Sequence, residues 1–313
     1  MRWMARRAWD GILMGEIRPL LSADDILAHP RFGLAREMYV RELLEMHENQ
    51  PAENRLLIDG GTATIFMSVI IMDAGHRPED RATWPTMQLL KGQMETHGIA
   101  SGRRTHDIVR RLVDTGYISA YRAPDDRRVT LLAPSDKMLT HDRRALRVYY
   151  HPLHVLFPDP GYPEPVNHDP VFHWIARDIC AAFLAHAQQF ILANPVIAFF
   201  LPRQAGHMIL TKLMHLCAHQ DDQAPPQVSF LKIGDSFGVS RTHVRKLLQA
   251  AAELGFVRLS GNSVDVTPEC RAGFDRFLAD TMAGHDLIYR MAKARMAPAE
   301  DAAAAPMASV GAA

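Results

Sequence analysis

The chain has 313 residues, with 35 Lys/Arg against 35 Asp/Glu and a hydrophobic share of 48%. That length accommodates about two domains, and the apolar content excludes wholesale disorder. The zero net charge excludes a polycationic chain, so any affinity for nucleic acid has to come from local clusters.

In chain order, the first twenty residues carry Arg2, Arg6 and Arg7 but neither a sustained apolar stretch nor a small-residue cleavage site. No signal peptide is expected, and the expected location is cytoplasmic. Residues 22–48 read as helical, with Ser22 as the N-cap and an interruption at Pro30. Residues 62–74 read as a second helix. Its most apolar run, 63–72, is too short to span a bilayer and predicts a buried helix, so no membrane association is expected. A polar stretch with Pro78 and Pro85 precedes a short helix at 87–96. Residues 149–170 contain Pro152, Pro158, Pro160, Pro163, Pro165 and Pro170. They predict a semi-rigid connector with no regular helix. Helical pattern returns at 171–193 and 206–219, and a loop with Pro225 and Pro226 leads to a helix at 229–237. From 296 onward an Ala- and Pro-rich tail reads as disordered.

The strongest signal is an internal repeat. With Ser101 placed over Ser240, the spacing holds without a gap to Gly116 over Gly255. Each serine can cap a helix. Ile108, Val109, Leu112 and Val113 share one face of the first helix, and Leu247, Leu248 and Ala251 share one face of the second. Each glycine suits the left-handed position that ends a helix. Each run then enters a hairpin: 117–132 turning at Pro124, Asp125 and Asp126, and 256–266 turning at Gly261 and Asn262. Helix, turn, helix and hairpin predict a mainly α chain with small β-hairpin wings, a tandem winged helix-turn-helix. The expected layout is an N-terminal helical extension (1–50), a first module (51–146), a connector with a helix (147–195), a second module (196–285) and a tail (286–313).

The first block resembles the MarR family of bacterial regulators. The resemblance rests on the helix ending in Asp114-Thr115-Gly116-Tyr117-Ile118 and on the wing run at 125–132, which contains the pair Asp126 and Arg128. It covers about 60 residues and implies that Asp126 orients Arg128 toward DNA. It departs where the Pro-rich segment replaces the family's long dimerisation helix. The second block is similar to the GntR-type winged helix through the run 238–248, which implies DNA contacts for Arg241 and Arg245.

The chemistry of the two helices points the same way. Between 101 and 146 there are ten Lys/Arg against six Asp/Glu, so positive charge gathers where a duplex would lie. A recognition helix reads the major groove from its N-terminal part. The candidate DNA-binding residues are Ser101, Arg103, Arg104, His106, Arg110, Arg122, Asp126, Arg127 and Arg128 in the first block. In the second they are Ser240, Arg241, Thr242, His243, Arg245 and Lys246. Asp107 shares the exposed stripe of the first helix. The second wing holds only Arg258.

Other chemistries find less support. His151, His154, His168 and His173 gather near Cys180, but their spacing is not that of a zinc site, and no metal or cofactor is expected. Cys180, Cys217 and Cys270 are far apart with no CxxC, which fits a reducing compartment and buried thiols. Trp84 and Trp174 are expected to be core anchors. No nucleophile elbow, Walker loop, HExxH or dinucleotide glycine pattern occurs, and Gly60-Gly61 is too little for a phosphate loop, so no enzyme is expected. The expected function is sequence-specific binding of double-stranded DNA in transcription regulation. The alternatives are a plasmid-type replication initiator and an interaction module that no longer touches DNA. Homodimerisation is an alternative to action as a monomer. A small-molecule effector has a place between the helical extension and the first module, without a residue pattern that names it.

Overall fold

The computed structural model describes residues 20–58, 60–182, 193–218 and 226–304. The N-terminal segment 1–19, the end of the helix expected at 171–193, Pro225 and the tail beyond 304 lie outside them. The described residues are mainly helical with two small antiparallel hairpins.

Ser22 opens α1 (Ala23–Ala28) through a capping box with Asp25, and α2 (Phe32–His47) follows after Pro30. Then come α3 (Pro51–Leu57) and the apolar α4 (Gly60–Ala74), in which Ile65, Phe66, Val69 and Ile70 are buried. A 3-10 turn at Arg81–Thr83 precedes α5 (Met87–Thr96) and α6 (Gly102–Asp114). Strands β1 (Ile118–Arg122) and β2 (Thr130–Pro134) form the first hairpin, with Ile118 opposite Pro134 and Arg122 opposite Thr130.

The segment read as a connector is more ordered than its prolines suggest. Helix α7 (Asp136–Leu156) runs directly from the first hairpin and passes through Pro152. Proline inside a helix removes a hydrogen bond and costs about 3 kcal/mol. Here Tyr150, Leu153 and Leu156 are buried around it, and burying such side chains stabilises by about 1.5–3 kcal/mol each. Pro163 and Pro170 stand in the first turns of α8 (Pro163–Val166) and α9 (Pro170–Cys180), where the missing N–H costs nothing. Trp174, expected in the core, is 42% exposed, because α9 turns Phe172, His173, Ala176 and Arg177 inward instead.

The second half contains α10 (Pro195–Phe200), α11 (Gly206–Leu216), α12 (Phe230–Phe237) and α13 (Arg241–Glu253). The hairpin of β3 (Val257–Ser260) and β4 (Ser263–Val266) follows, and then α14 (Pro268–Ala304). Residues 286–304, read as part of a disordered tail, continue α14. Tyr289, Met291 and Ala292 are buried, and the Tyr289 hydroxyl donates to Glu164 (2.7 Å), so packing orders what composition left undecided.

Two main cores result. One is built from 56–138, chiefly α4, α5, α6 and the first hairpin. The other gathers α1, α2, α7 and α9 around the second half and α14. The N-terminal helices therefore pack on the second half. Asn54 ties the two parts together: its amide donates to the carbonyls of His47 (2.6 Å) and Ser236 (3.1 Å). Between α7 and α9, buried Asp142 accepts from Arg177 (2.7 and 2.8 Å) and pairs with His173 (2.6 Å). Burial alone would raise Asp142, but the Arg177 guanidinium and the His173 ring hold its carboxyl down at about 2.

Candidate nucleic-acid interface

The repeat seen in the sequence is repeated in backbone geometry. Ser101 caps α6 by accepting the Arg104 N–H (3.3 Å), and Ser240 caps α13 by accepting the His243 N–H (3.0 Å). Gly116 and Gly255 end these helices at φ 75° and 77°. After each hairpin a hydroxyl closes back on that glycine's carbonyl: Ser135 on Gly116 (2.7 Å) and Thr267 on Gly255 (2.9 Å). Before each helix pair a single residue bridges to the second strand, Thr86 to Leu131 and Gln227 to Ser263.

In the first module, burial of Thr105, Ile108, Val109 and Leu112 fixes the roll of α6. Arg103, Arg104, His106, Asp107 and Arg110 are consequently exposed, as is Arg111, which the sequence reading did not select. Ser101, Arg103, Arg104, Asp107, Ile108 and Arg111 line a shallow recess of about 270 Å³ along the helix. Glu95 on α5 accepts the Gly102 N–H (2.7 Å), satisfying one of the free donors there.

The first hairpin carries a fixed charge arrangement. Asp126 accepts from the Arg128 N–H (3.2 Å) and Nε (3.1 Å), while the Arg128 side chain stays 92% exposed. Those hydrogen bonds hold the Asp126 carboxyl below the usual range. Arg122 donates to Thr130 Oγ1 (2.9 Å) and to the Arg128 carbonyl (3.3 Å), so it braces the hairpin, and Arg127 is exposed. A partner that sequence reasoning missed is Arg81, 45 residues upstream, whose guanidinium lies 3.5 Å from Asp126 and 5.0 Å from the centre of the Trp84 ring. No local pattern marks Arg81; only the fold brings it there.

The second module is less open. Burial of Val244, Leu247, Leu248 and Ala251 leaves Arg241, Thr242, Arg245 and Lys246 exposed on α13. His243 is half-buried, and its Nε2 lies 2.8 Å from the Gln204 carbonyl, so the ring is taken up within the chain. Arg258 is paired with Asp265 across the second hairpin (3.1 Å).

The histidines near Cys180 do not converge. His151 pairs with Glu42, His154 accepts the Tyr162 N–H (2.9 Å), and His173 faces Asp142. Among the described residues no group of three or more His, Cys, Asp or Glu is arranged to hold a metal ion. Cys180 lies 3.8 Å from Arg177, but burial keeps its thiol above the ordinary value; burial also pushes Cys270 up to about 12. Among the described residues no helix is long and apolar enough to cross a membrane. No family, curated protein or solved structure matches this chain.

Proposed function

We propose that this chain is a transcription regulator that binds double-stranded DNA through two winged helix-turn-helix modules of unequal weight. The observation that carries the reading is the first module's pairing of an exposed arginine stripe with a hairpin whose Arg128 is held outward by Asp126. A helix presenting Arg103 and His106 from its N-terminal half, with Arg110 one turn further on, suits base edges in a major groove, where arginine reads guanine. Arg128, on a hairpin beside it, suits the backbone or the minor groove. The second module offers Arg241, Arg245 and Lys246, with His243 and Arg258 already engaged, and is the lesser contributor. The reading makes the chain a binder rather than an enzyme.

Titration on random duplex DNA at two salt concentrations tests it. Counterion release makes log affinity fall with log salt in proportion to the phosphates neutralised. The expected result is steep salt dependence, weakened by Arg103→Ala combined with Arg245→Ala. Salt-insensitive binding, or none, overturns the proposal. Because the two recognition helices differ in sequence, a monomer protects an asymmetric site; a perfect inverted repeat in a footprint points to dimerisation.

A further inference from the structure

The surface beside the first hairpin carries more than the sequence singled out. Arg81 stands on the 3-10 turn before α5, with its side chain 66% exposed. Two contacts fix its direction. The Trp84 ring lies beneath the guanidinium, and Trp84 is itself anchored by a hydrogen bond from its Nε1 to the Pro78 carbonyl (3.0 Å) and by packing with Ala123 and Leu131. Asp126, the residue that holds Arg128, lies 3.5 Å from the Arg81 guanidinium. One carboxylate, 12% exposed, thus carries two arginines on one edge of the molecule, and together they leave one positive charge in excess. Asp80, the nearest acid in sequence, caps the 3-10 turn through the Ala82 N–H (3.0 Å); it keeps its negative charge but does not line the adjacent trough.

Next to this pair an open trough of about 540 Å³ runs between the 3-10 turn and α5, lined in part by Arg81, Trp84, Thr86, Gln88, Gln93 and His97. Its polar groups are hydroxyl, amide, imidazole and guanidinium, with no carboxylate among the lining residues. Such donors around one fixed cation match the acceptor oxygens of a phosphodiester backbone. An arginine held on an aromatic face and a carboxylate also loses less conformational freedom on binding than a free one.

We propose that Arg81 is a DNA-contacting residue, that the trough it heads seats a phosphate strand of the duplex, and that Asp126 positions Arg81 and Arg128 as a pair. This rests on the DNA-binding reading above and extends its surface beyond the recognition helix and wing.

The test measures affinity for random duplex DNA across a salt series with the full chain and its Arg81→Ala, Arg81→Lys, Arg128→Ala and Asp126→Asn variants, each checked for an unchanged thermal midpoint. Arg81→Ala is expected to lower the slope of log affinity against log salt by about 0.9, the increment for one phosphate contact, equally for all sequences. Arg81→Lys keeps the charge and is expected to restore the slope, which a purely structural role for the guanidinium would not do. In the Asp126→Asn background, Arg81→Ala is expected to weaken binding by a smaller factor, because the anchor is already lost. An unchanged slope in Arg81→Ala, in a chain whose Arg128→Ala variant does lose slope, overturns the Arg81 assignment and leaves DNA binding standing. Strictly additive effects of the Arg81 and Asp126 changes overturn the shared positioning. Salt-insensitive binding by the unsubstituted chain overturns the DNA reading and this inference together.

Discussion

Ser101 and Ser240 each close the first turn of an exposed basic helix with one hydroxyl, and their removal has a definable cost. Ser101→Ala or Ser240→Ala is expected to lower stability by about 1 kcal/mol, read as a shift in the urea midpoint. Gly234 is constrained differently. A Cβ there would stand 2.5 Å from the Val239 carbonyl, in the tight turn that leads from α12 into α13. Backbone cannot yield as a side-chain tip can, so Gly234→Ala is expected to destabilise by about 1–3 kcal/mol. Arg177 sits in the interior, and its loss leaves Asp142 a buried carboxylate without its guanidinium. Arg177→Met is expected to cost about 3–5 kcal/mol, and a neutral result in denaturation would show that Asp142 is not held as an ion.

At the scale of elements, the two helix pairs share a closure that the aligned runs do not contain. Thr267 donates to the carbonyls of Gly255 and Phe256 and accepts the Cys270 N–H, so one hydroxyl latches hairpin to helix and caps α14. Ser135 does the same between Gly116 and α7. Thr267→Val keeps the shape and removes the hydroxyl, so the Cys270 N–H at the start of α14 and the Gly255 carbonyl lose their partner, while the Phe256 carbonyl keeps the Thr267 N–H (3.1 Å). The expected loss is about 1–3 kcal/mol in a denaturant titration, against little change for a substitution at exposed Ser260. The helix pairs, their serine caps, their terminal glycines and both hairpins were legible in sequence because each rests on local periodicity and turn chemistry. The latch was not, because the hairpins differ in length and Ser135 and Thr267 fall out of register in the aligned repeat. The bridges from Thr86 and Gln227 were equally invisible, since a single residue pairing with a distant strand leaves no local pattern.

For the whole molecule, burial of histidines sets the response to acid. His47, His207 and His285 are each lowered to about 4, first of all by burial. Neighbouring His141 adds to the effect at His47, and His47 adds to it at His207. The unfolded chain, with histidines near 6.5, binds protons that the folded chain refuses, so these groups leave stability intact above about 6.5 and erode it as pH falls toward 4. Asp73, raised by burial to about 6, and Asp275, also raised by burial, act in the opposite direction over part of that window, but these two carboxyls are outnumbered by the three rings. The urea midpoint is expected to drop between pH 6.5 and 4.5; a flat or rising midpoint contradicts the buried, neutral state of the three rings. His47 shares the junction with Asn54, so this acid sensitivity falls in part where the two cores meet.

Local sequence determined the two helix pairs, the hairpin segments and the exposed basic faces, because hydrophobic period, capping residues and turn residues act over a few positions. Tertiary structure alone decided the rest. It carried a helix through Pro152 and buried Tyr289, Met291 and Ala292 of the segment read as a tail, since apolar burial on a distant partner outweighs local preference. It placed the N-terminal helices on the second half, and it brought Arg81 across 45 residues to share the carboxylate of Asp126. Contacts between residues far apart in the chain depend on which faces pack together, and no short stretch of sequence records that.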